Sequence, residues 1–289
     1  MLAYRLLQPQ TQPEFQEVPE PRAGPGQVVV RVAGSGLCHT DFTVISRDRT
    51  HWGNEQPPFT LGHEVAGWIE EVGTGVTKFQ PGDAVAINPS WASCGRCHMC
   101  RSGEENHCLY QKGIRAPGVG YNGGHAPYIL VPGARFLVPI GDLDPILAAP
   151  LTDAGITTYS AIKPALPGIW PGSTAVVIGV GGLGLYAVQF LRLLTGAHVV
   201  AVDSTEARLK LARDYGATTW SPVVLMRRNR FASSAAGSAR RSSSIAWAST
   251  RPLPPGSRPS RGAAVFTCSG RAEDRFLSTS SRCPPAPSW

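Results

Sequence analysis

The chain has 289 residues, of which 42% are hydrophobic and 16% charged, with 32 Gly and 26 Pro. That length suits two domains at about 100–200 residues each. A Gly and Pro content of about a fifth excludes coiled coil and collagen and favours turns and strands. No run of about 18 apolar residues occurs, so no membrane helix is expected.

The formal charge of +7 is unevenly spread. Residues 1–222 carry 16 basic and 18 acidic side chains, whereas residues 223–289 carry 11 Arg, no Lys and 2 acids. The body is therefore not a nucleic-acid-binding surface by charge. The basic tail lacks the repeats and aromatic interleaving of a nucleic-acid binder, so that reading is remote. The opening MLAYRLLQPQTQPEF lacks the apolar core and cleavage site of a signal peptide, which predicts a soluble, cytoplasmic protein.

In chain order, residues 1–150 read as a β-rich domain. The run 27–32 (QVVVRV) is β-branched after a Gly/Pro turn, and Val65 to Val72 ends at Gly73-Thr74-Gly75. A turn at Pro81-Gly82-Asp83 leads into a short strand at 84–87, and another strand is expected at 128–131. Turns about every ten residues suit a small barrel or sandwich. Residues 153–165 predict a helix stopped by Pro164 or Pro167, and a strand at 174–178, a glycine loop at 179–184, a helix at 185–194, a strand at 198–202 and a helix at 205–215 follow. That is the βαβα opening of a doubly wound parallel sheet, with 217–220 able to begin a third strand. Beyond 222, Ser and Arg dominate between Pro-rich pieces, and the composition predicts disorder.

Five of the seven cysteines lie in the body, and four of these fall at Cys94, Cys97, Cys100 and Cys108. The C-x2-C-x2-C-x7-C spacing lets four thiolates surround one zinc, a closed and therefore structural site. His98 and His107 lie inside the same lobe. Cys38 and His63 offer a thiolate and an imidazole; a catalytic zinc needs a third protein ligand and an open position. The loop Gly179-Val180-Gly181-Gly182-Leu183-Gly184 follows a strand and opens a helix, and Asp203 ends the next strand. That is the context a dinucleotide loop requires. Gly179 allows the tight turn, Gly181 the approach to a pyrophosphate and Gly184 close helix–strand packing, with Gly182 and Leu183 opening the helix whose N-terminus faces the phosphates. A carboxylate at Asp203 favours NAD over NADP.

The segments Gly36-Leu37-Cys38-His39-Thr40-Asp41 and Gly62-His63-Glu64, the four-cysteine lobe and the glycine loop, in this order, resemble the zinc-dependent medium-chain alcohol dehydrogenases, nearest the bacterial secondary-alcohol members. The likeness covers residues 1–220. It implies an α/β protein: a β-rich GroES-like zinc-binding catalytic domain (1–150), a partial Rossmann NAD-binding domain (151–222) and an aberrant tail (223–289). It implies two zinc ions per chain and NAD as cofactor. Cys38, His63 and, at the start of the helix entering the cofactor domain, Asp153 would hold the catalytic zinc, and Glu64 would approach it. Thr40 would bond the zinc-bound alcohol and start a proton relay, whose usual histidine is replaced by Thr43. Asp41 would orient His63, His39 would touch a cofactor phosphate and Arg208 the adenosine ribose. The implied reaction is hydride transfer from a secondary alcohol to NAD, giving a ketone or aldehyde. Trp52, Phe59 and Trp91 are aromatic candidates for an apolar substrate pocket or for the core.

The family pattern breaks after residue 220, where the remaining cofactor-domain strands should follow. Arg/Ser/Pro text without lysine there predicts a frameshift that replaced the native end, removing the segment through which the family forms dimers or tetramers. The competing expectation is a catalytically impaired relative.

Overall fold

The computed structural model describes residues 1–47, 56–111, 115–222, 243–249 and 262–268. It divides into two compact units, Met1–Ile156 and Thr157–Trp289.

The first unit contains strands β1 (Leu2–Leu6), β2 (Glu14–Glu17) and β3 (Val28–Gly36), helix α1 (His39–Ser46), strands β4 (Phe59–Thr60), β5 (Glu64–Val72) and β6 (Ala84–Ile87), and the short helix α2 (His98–Arg101). Strands β7 (Ala116–Pro117), β8 (Gly120–Tyr121), β9 (Tyr128–Val131) and β10 (Leu137–Pro139) and the one-turn helix α3 (Pro145–Ala148) follow, and helix α4 (Ala154–Ile162) runs across the division, its residues from Thr157 on belonging to the second unit. The main sheet of the first unit runs β10-β6-β5-β3-β9 and a smaller one runs β2-β1-β4. All pairings in these two sheets are antiparallel.

The β3–β5 register is the feature that builds the site. It runs from Val28 opposite Val72 to Gly36 opposite Glu64. Antiparallel strands bring the end of one beside the start of the next. Cys38 lies two residues past the end of β3 and His63 one residue before β5, so this pairing carries both to the same edge. Val28, Val30, Val65, Ile69, Val85, Ile87, Ile129 and Val131 form one buried cluster beneath the sheet, as alternation along half-buried strands requires. Phe59 and Trp91 belong to buried clusters too, so both are core residues. Trp52 lies outside the described residues.

The turn carrying His63 is held by unusually close backbone packing. The loop at 123–125 zips onto it: the amides of Gly123, Gly124 and His125 donate to the carbonyls of Thr60 (2.7 Å), Gly62 (2.9 Å) and Leu61 (2.9 Å). A Cβ on Gly123 would collide with the Gly62 carbonyl oxygen and lie 2.6 Å from the Gly118 amide nitrogen and the Leu61 carbonyl oxygen. Every one of these neighbours is backbone and none can swing aside. Gly123→Ala is therefore expected to cost about 1–3 kcal/mol of stability through overpacking. Urea unfolding of wild type and variant, both zinc-loaded, measures the difference.

In the second unit, strand β11 (Thr174–Ile178), helix α5 (Gly182–Leu194), strand β12 (His198–Asp203), helix α6 (Glu206–Asp214) and strand β13 (Thr219–Pro222) alternate. Strand β12 pairs in parallel with both β11 and β13. Val177, Val199 and Ala201 pack with Val188 and Leu191 of α5 and Leu209 of α6 in one core. α4 ends where Pro164 removes a backbone donor, and the chain continues as a 3-10 turn over Lys163–Gly168.

Two segments of the stretch read as structureless carry strands, β14 (Ser243–Ser249) and β15 (Gly262–Cys268). Both combine β-branched and aromatic residues, the types that favour strands. β14 pairs antiparallel with β11 and with β15, giving the order β13-β12-β11-β14-β15. The rest of the 223–289 expectation lies outside the described residues.

Candidate metal and cofactor sites

Cys38, His63 and Asp153 converge: one ligand atom from each lies within 4.8 Å of the others. Cys38 Sγ is 3.5 Å from Asp153 Oδ2, and His63 Nε2 is 3.4 Å from the same oxygen. His63 is 5% exposed, and its Nε2 is buried without a hydrogen bond of good geometry. Such an atom is costly unless a further partner satisfies it.

The other face of the ring is fixed. His63 Nδ1 lies 3.1 Å from Asp41 Oδ1, while Asp41 Oδ2 accepts the Cys38 backbone N–H at 2.9 Å. Asp41 thus ties two of the three candidate ligands together from the first turn of α1. With Nδ1–H donated to Asp41, Nε2 keeps its lone pair for a cation, the usual outer support of a metal-bound imidazole. Burial opposes charge on Asp41, but the hydrogen bond and charge of His63 and the Cys38 amide outweigh it and hold its carboxyl below the ordinary value. Burial likewise opposes charge on His63, yet Asp153, Asp41 and Cys38 outweigh it and push its pKa up to about 12. The pocket therefore favours positive charge. Glu64 is buried beside it, and burial followed by the Asp153 charge raises its pKa. This donor set, one soft sulfur, one imidazole and one carboxylate, suits zinc with a position left open. Thr40 stands with its hydroxyl 3.7 Å from Cys38 Sγ. His39 is exposed at the start of α1.

The four-cysteine lobe is equally compact. Sγ separations are 3.5 Å for Cys97–Cys100, 3.9 Å for Cys97–Cys108 and 3.9 Å for Cys94–Cys100. A tetrahedron with metal–sulfur bonds of about 2.3 Å has edges of about 3.8 Å. Backbone amides of Arg96 and Cys97 donate to Cys94 Sγ, and that of Cys94 to Cys108 Sγ. Amides of Cys100 and Leu109 favour a thiolate at Cys97 and lower its pKa to about 6, while burial among the other sulfurs pushes Cys100 up to about 12. Four thiolates this close demand a cation between them. Arg135, which no sequence motif singles out, braces the lobe: its guanidinium donates to the Ser93 hydroxyl and carbonyl and lies 4.0 Å over the Phe136 ring.

In the second unit, the glycine loop joins β11 to α5. Gly179 has φ +85°, and a Cβ on Gly184 would strike the Gly179 carbonyl. Glycine at 184 lets helix and loop approach. A Cβ on Gly181 or Gly182 would meet nothing within 4 Å, so packing does not demand glycine there; the bare backbone at the helix N-terminus is what a pyrophosphate needs. Leu183 is half-buried at the opening of α5. Asp203 is 4% exposed and accepts amides from Val180 and Thr205, both at 2.9 Å. It anchors the loop, and a carboxylate retains lone pairs for a ribose hydroxyl. Arg208 lies 3.9 Å from Asp203 Oδ2.

Among the described residues no helix is long and apolar enough to cross a membrane. Residues 24–142 match the family of the alcohol dehydrogenase GroES-like domain. The NAD-dependent alcohol dehydrogenase of Sulfurisphaera tokodaii is 38% identical over 226 residues, covering 75% of this chain and 62% of that protein. The alcohol dehydrogenase structure from Aeropyrum pernix superposes with a TM-score of 0.67 at 38% identity, covering 77% of this chain and 64% of the other. The cobalt- and zinc-bound alcohol dehydrogenase of Pyrobaculum aerophilum gives 0.66 at 31% identity, with coverages of 77% and 64%. The chain thus spans about three-fifths of the length of the curated relatives it matches. The sheet-rich N-terminal part of this chain, on which both ligand clusters are built, is thus similar to the corresponding part of alcohol dehydrogenases that carry a GroES-like domain.

Proposed function

We propose that the protein oxidises a secondary alcohol to a ketone with NAD, at a zinc held by Cys38, His63 and Asp153, with a second, structural zinc held by Cys94, Cys97, Cys100 and Cys108. The observation that carries this reading is the convergence of Cys38, His63 and Asp153 on a buried imidazole nitrogen that lacks a good hydrogen bond. When bound, the metal supplies Lewis acidity that lowers an alcohol's pKa, and NAD supplies the hydride acceptor.

The chain's own groups do the rest. Asp41 holds His63 in the tautomer that leaves Nε2 available. The Thr40 hydroxyl accepts the alcohol's proton at Oγ1 and passes its own towards solvent. Loss of that proton and of the carbinol hydride leaves a ketone, so the products are ketone, NADH and one proton. Gly181, Gly182, Leu183 and Gly184 form the phosphate cradle with the α5 N-terminus. Asp203 takes the ribose hydroxyls and selects NAD against the 2′-phosphate of NADP, with Arg208 beside it.

The test is NADH formation, read by its near-ultraviolet absorbance, by the full chain with 2-propanol or 1-phenylethanol and added zinc. Turnover is expected with NAD and much less with NADP. Soluble protein carrying two zinc ions and showing no turnover with either alcohol would overturn the reading.

A further inference from the structure

Thr152 stands directly before Asp153, and Val65 two places after His63. The Thr152 hydroxyl accepts the Val65 backbone N–H at 3.0 Å and donates to the Ala149 carbonyl at 2.8 Å. Thr152 is 5% exposed and Val65 is fully buried. The bond back to Ala149 is local chemistry, common for a hydroxyl at the end of a turn. The bond to Val65 is different. It joins residues 87 apart in sequence and connects the first residues of β5 to the turn that delivers Asp153.

We propose that Thr152 is a positioning residue whose hydroxyl sets the spacing between His63 and Asp153, and thereby the metal affinity of the Cys38–His63–Asp153 centre. This rests on the reading of that centre as a metal site. Cys38 and His63 are already tied to each other through Asp41. Asp153 comes from a distant part of the chain and needs its own tie. The Thr152–Val65 bond supplies one, a single residue away from Asp153 on one side and two from His63 on the other. Metal–ligand distances tolerate only about 0.2 Å, so a small relaxation of this bond is felt at the centre. A buried amide stripped of its acceptor seeks water or another partner, which moves the start of β5 away from the turn.

Thr152→Val keeps the shape and removes both hydrogen bonds, whereas Thr152→Ser keeps them. Cobalt(II) titration of the full chain reads the two metal sites by their visible absorption, and zinc competition gives affinities. Thr152→Val is expected to weaken cobalt binding at the Cys38 centre by about 10–100-fold, as loss of outer supports does, and to shift its visible bands. The four-cysteine site should keep its metal, and Thr152→Ser should restore both affinity and spectrum. Wild-type affinity and bands in Thr152→Val would overturn the proposal, as would a Ser variant as weak as the Val variant. Should the Val variant fail to fold, Thr152→Ala is read by the same criteria. A wild-type chain that binds cobalt only at the four cysteines would overturn the metal reading itself and the proposal with it.

Discussion

Cys38→Ala is expected to release one zinc per chain and to lower alcohol-dependent NADH formation by at least about 1000-fold, while the fold survives. Removing the thiol leaves His63 and Asp153, and two protein ligands do not hold a catalytic zinc. Lewis-acid stabilisation of a developing alkoxide is worth several kcal/mol, and each 1.36 kcal/mol is about a factor of ten in rate. The fold should tolerate the change because α1 is anchored through the backbone: the Asp41 carboxylate accepts the Cys38 N–H, which alanine also provides. Metal analysis, circular dichroism and initial rates decide the matter together. A variant that keeps two zinc ions, or that turns over at the wild-type rate, would remove Cys38 from the centre. Asp153→Asn is expected to be milder in metal content than Cys38→Ala, since an amide oxygen can still coordinate but brings no charge.

Much of this site is legible in the sequence. Cys38 and His63 are placed by the strands around them, since residues 27–32 read as a β-branched run and 65–72 as an apolar stretch, and the ligands flank those segments. The four cysteines are legible from spacing alone. Asp153 has no local signal of its own and is located by resemblance at the start of a helix. The supports are not legible. Thr152 reaches Val65, and Gly123 reaches Gly62, across long stretches of chain, and no local pattern encodes such contacts. Helix α1 also leaves no mark in the sequence, because only Asp41 and Val44 on it are buried and so few positions show no helical period. Strand β2 has no buried residue, which leaves its pairing with β1 without a hydrophobic signature. Gly181 and Gly184 look alike in sequence yet differ physically: packing forbids a side chain at 184 and leaves one room at 181.

Removing the four-cysteine metal is expected to unfold the lobe from Cys94 to Cys108 and to leave the β-core standing. The lobe has almost no apolar interior: its buried cluster consists of Cys97, Cys100 and Cys108, with Cys94 and Met99 against it. Its regular structure is the four-residue α2 and a three-residue 3-10 turn, far too short to stand alone. Binding energy from zinc must supply the difference. In small thiolate sites that energy is about 10–16 kcal/mol and counts directly as folding energy, comparable to the whole stability of an ordinary domain. The bonds from Arg135 to Ser93 hold only the point where the lobe leaves the sheet. The cluster of Val28, Val65, Val85 and Ile129 contains none of the four cysteines, so the core keeps its packing when the lobe opens. Arg96 and Arg101 are exposed within the lobe and give trypsin two sites that only an unfolded segment presents well. In Cys100→Ala, or after stripping with a chelator, trypsin should cut at Arg96 and Arg101 at least about 100-fold faster, as expected when local opening loses a penalty of several kcal/mol. The wild type with zinc restored should recover its resistance. Equal resistance with and without metal would show that protein contacts alone hold the lobe, and the thiolates would then need another explanation for lying within 4.8 Å of one another.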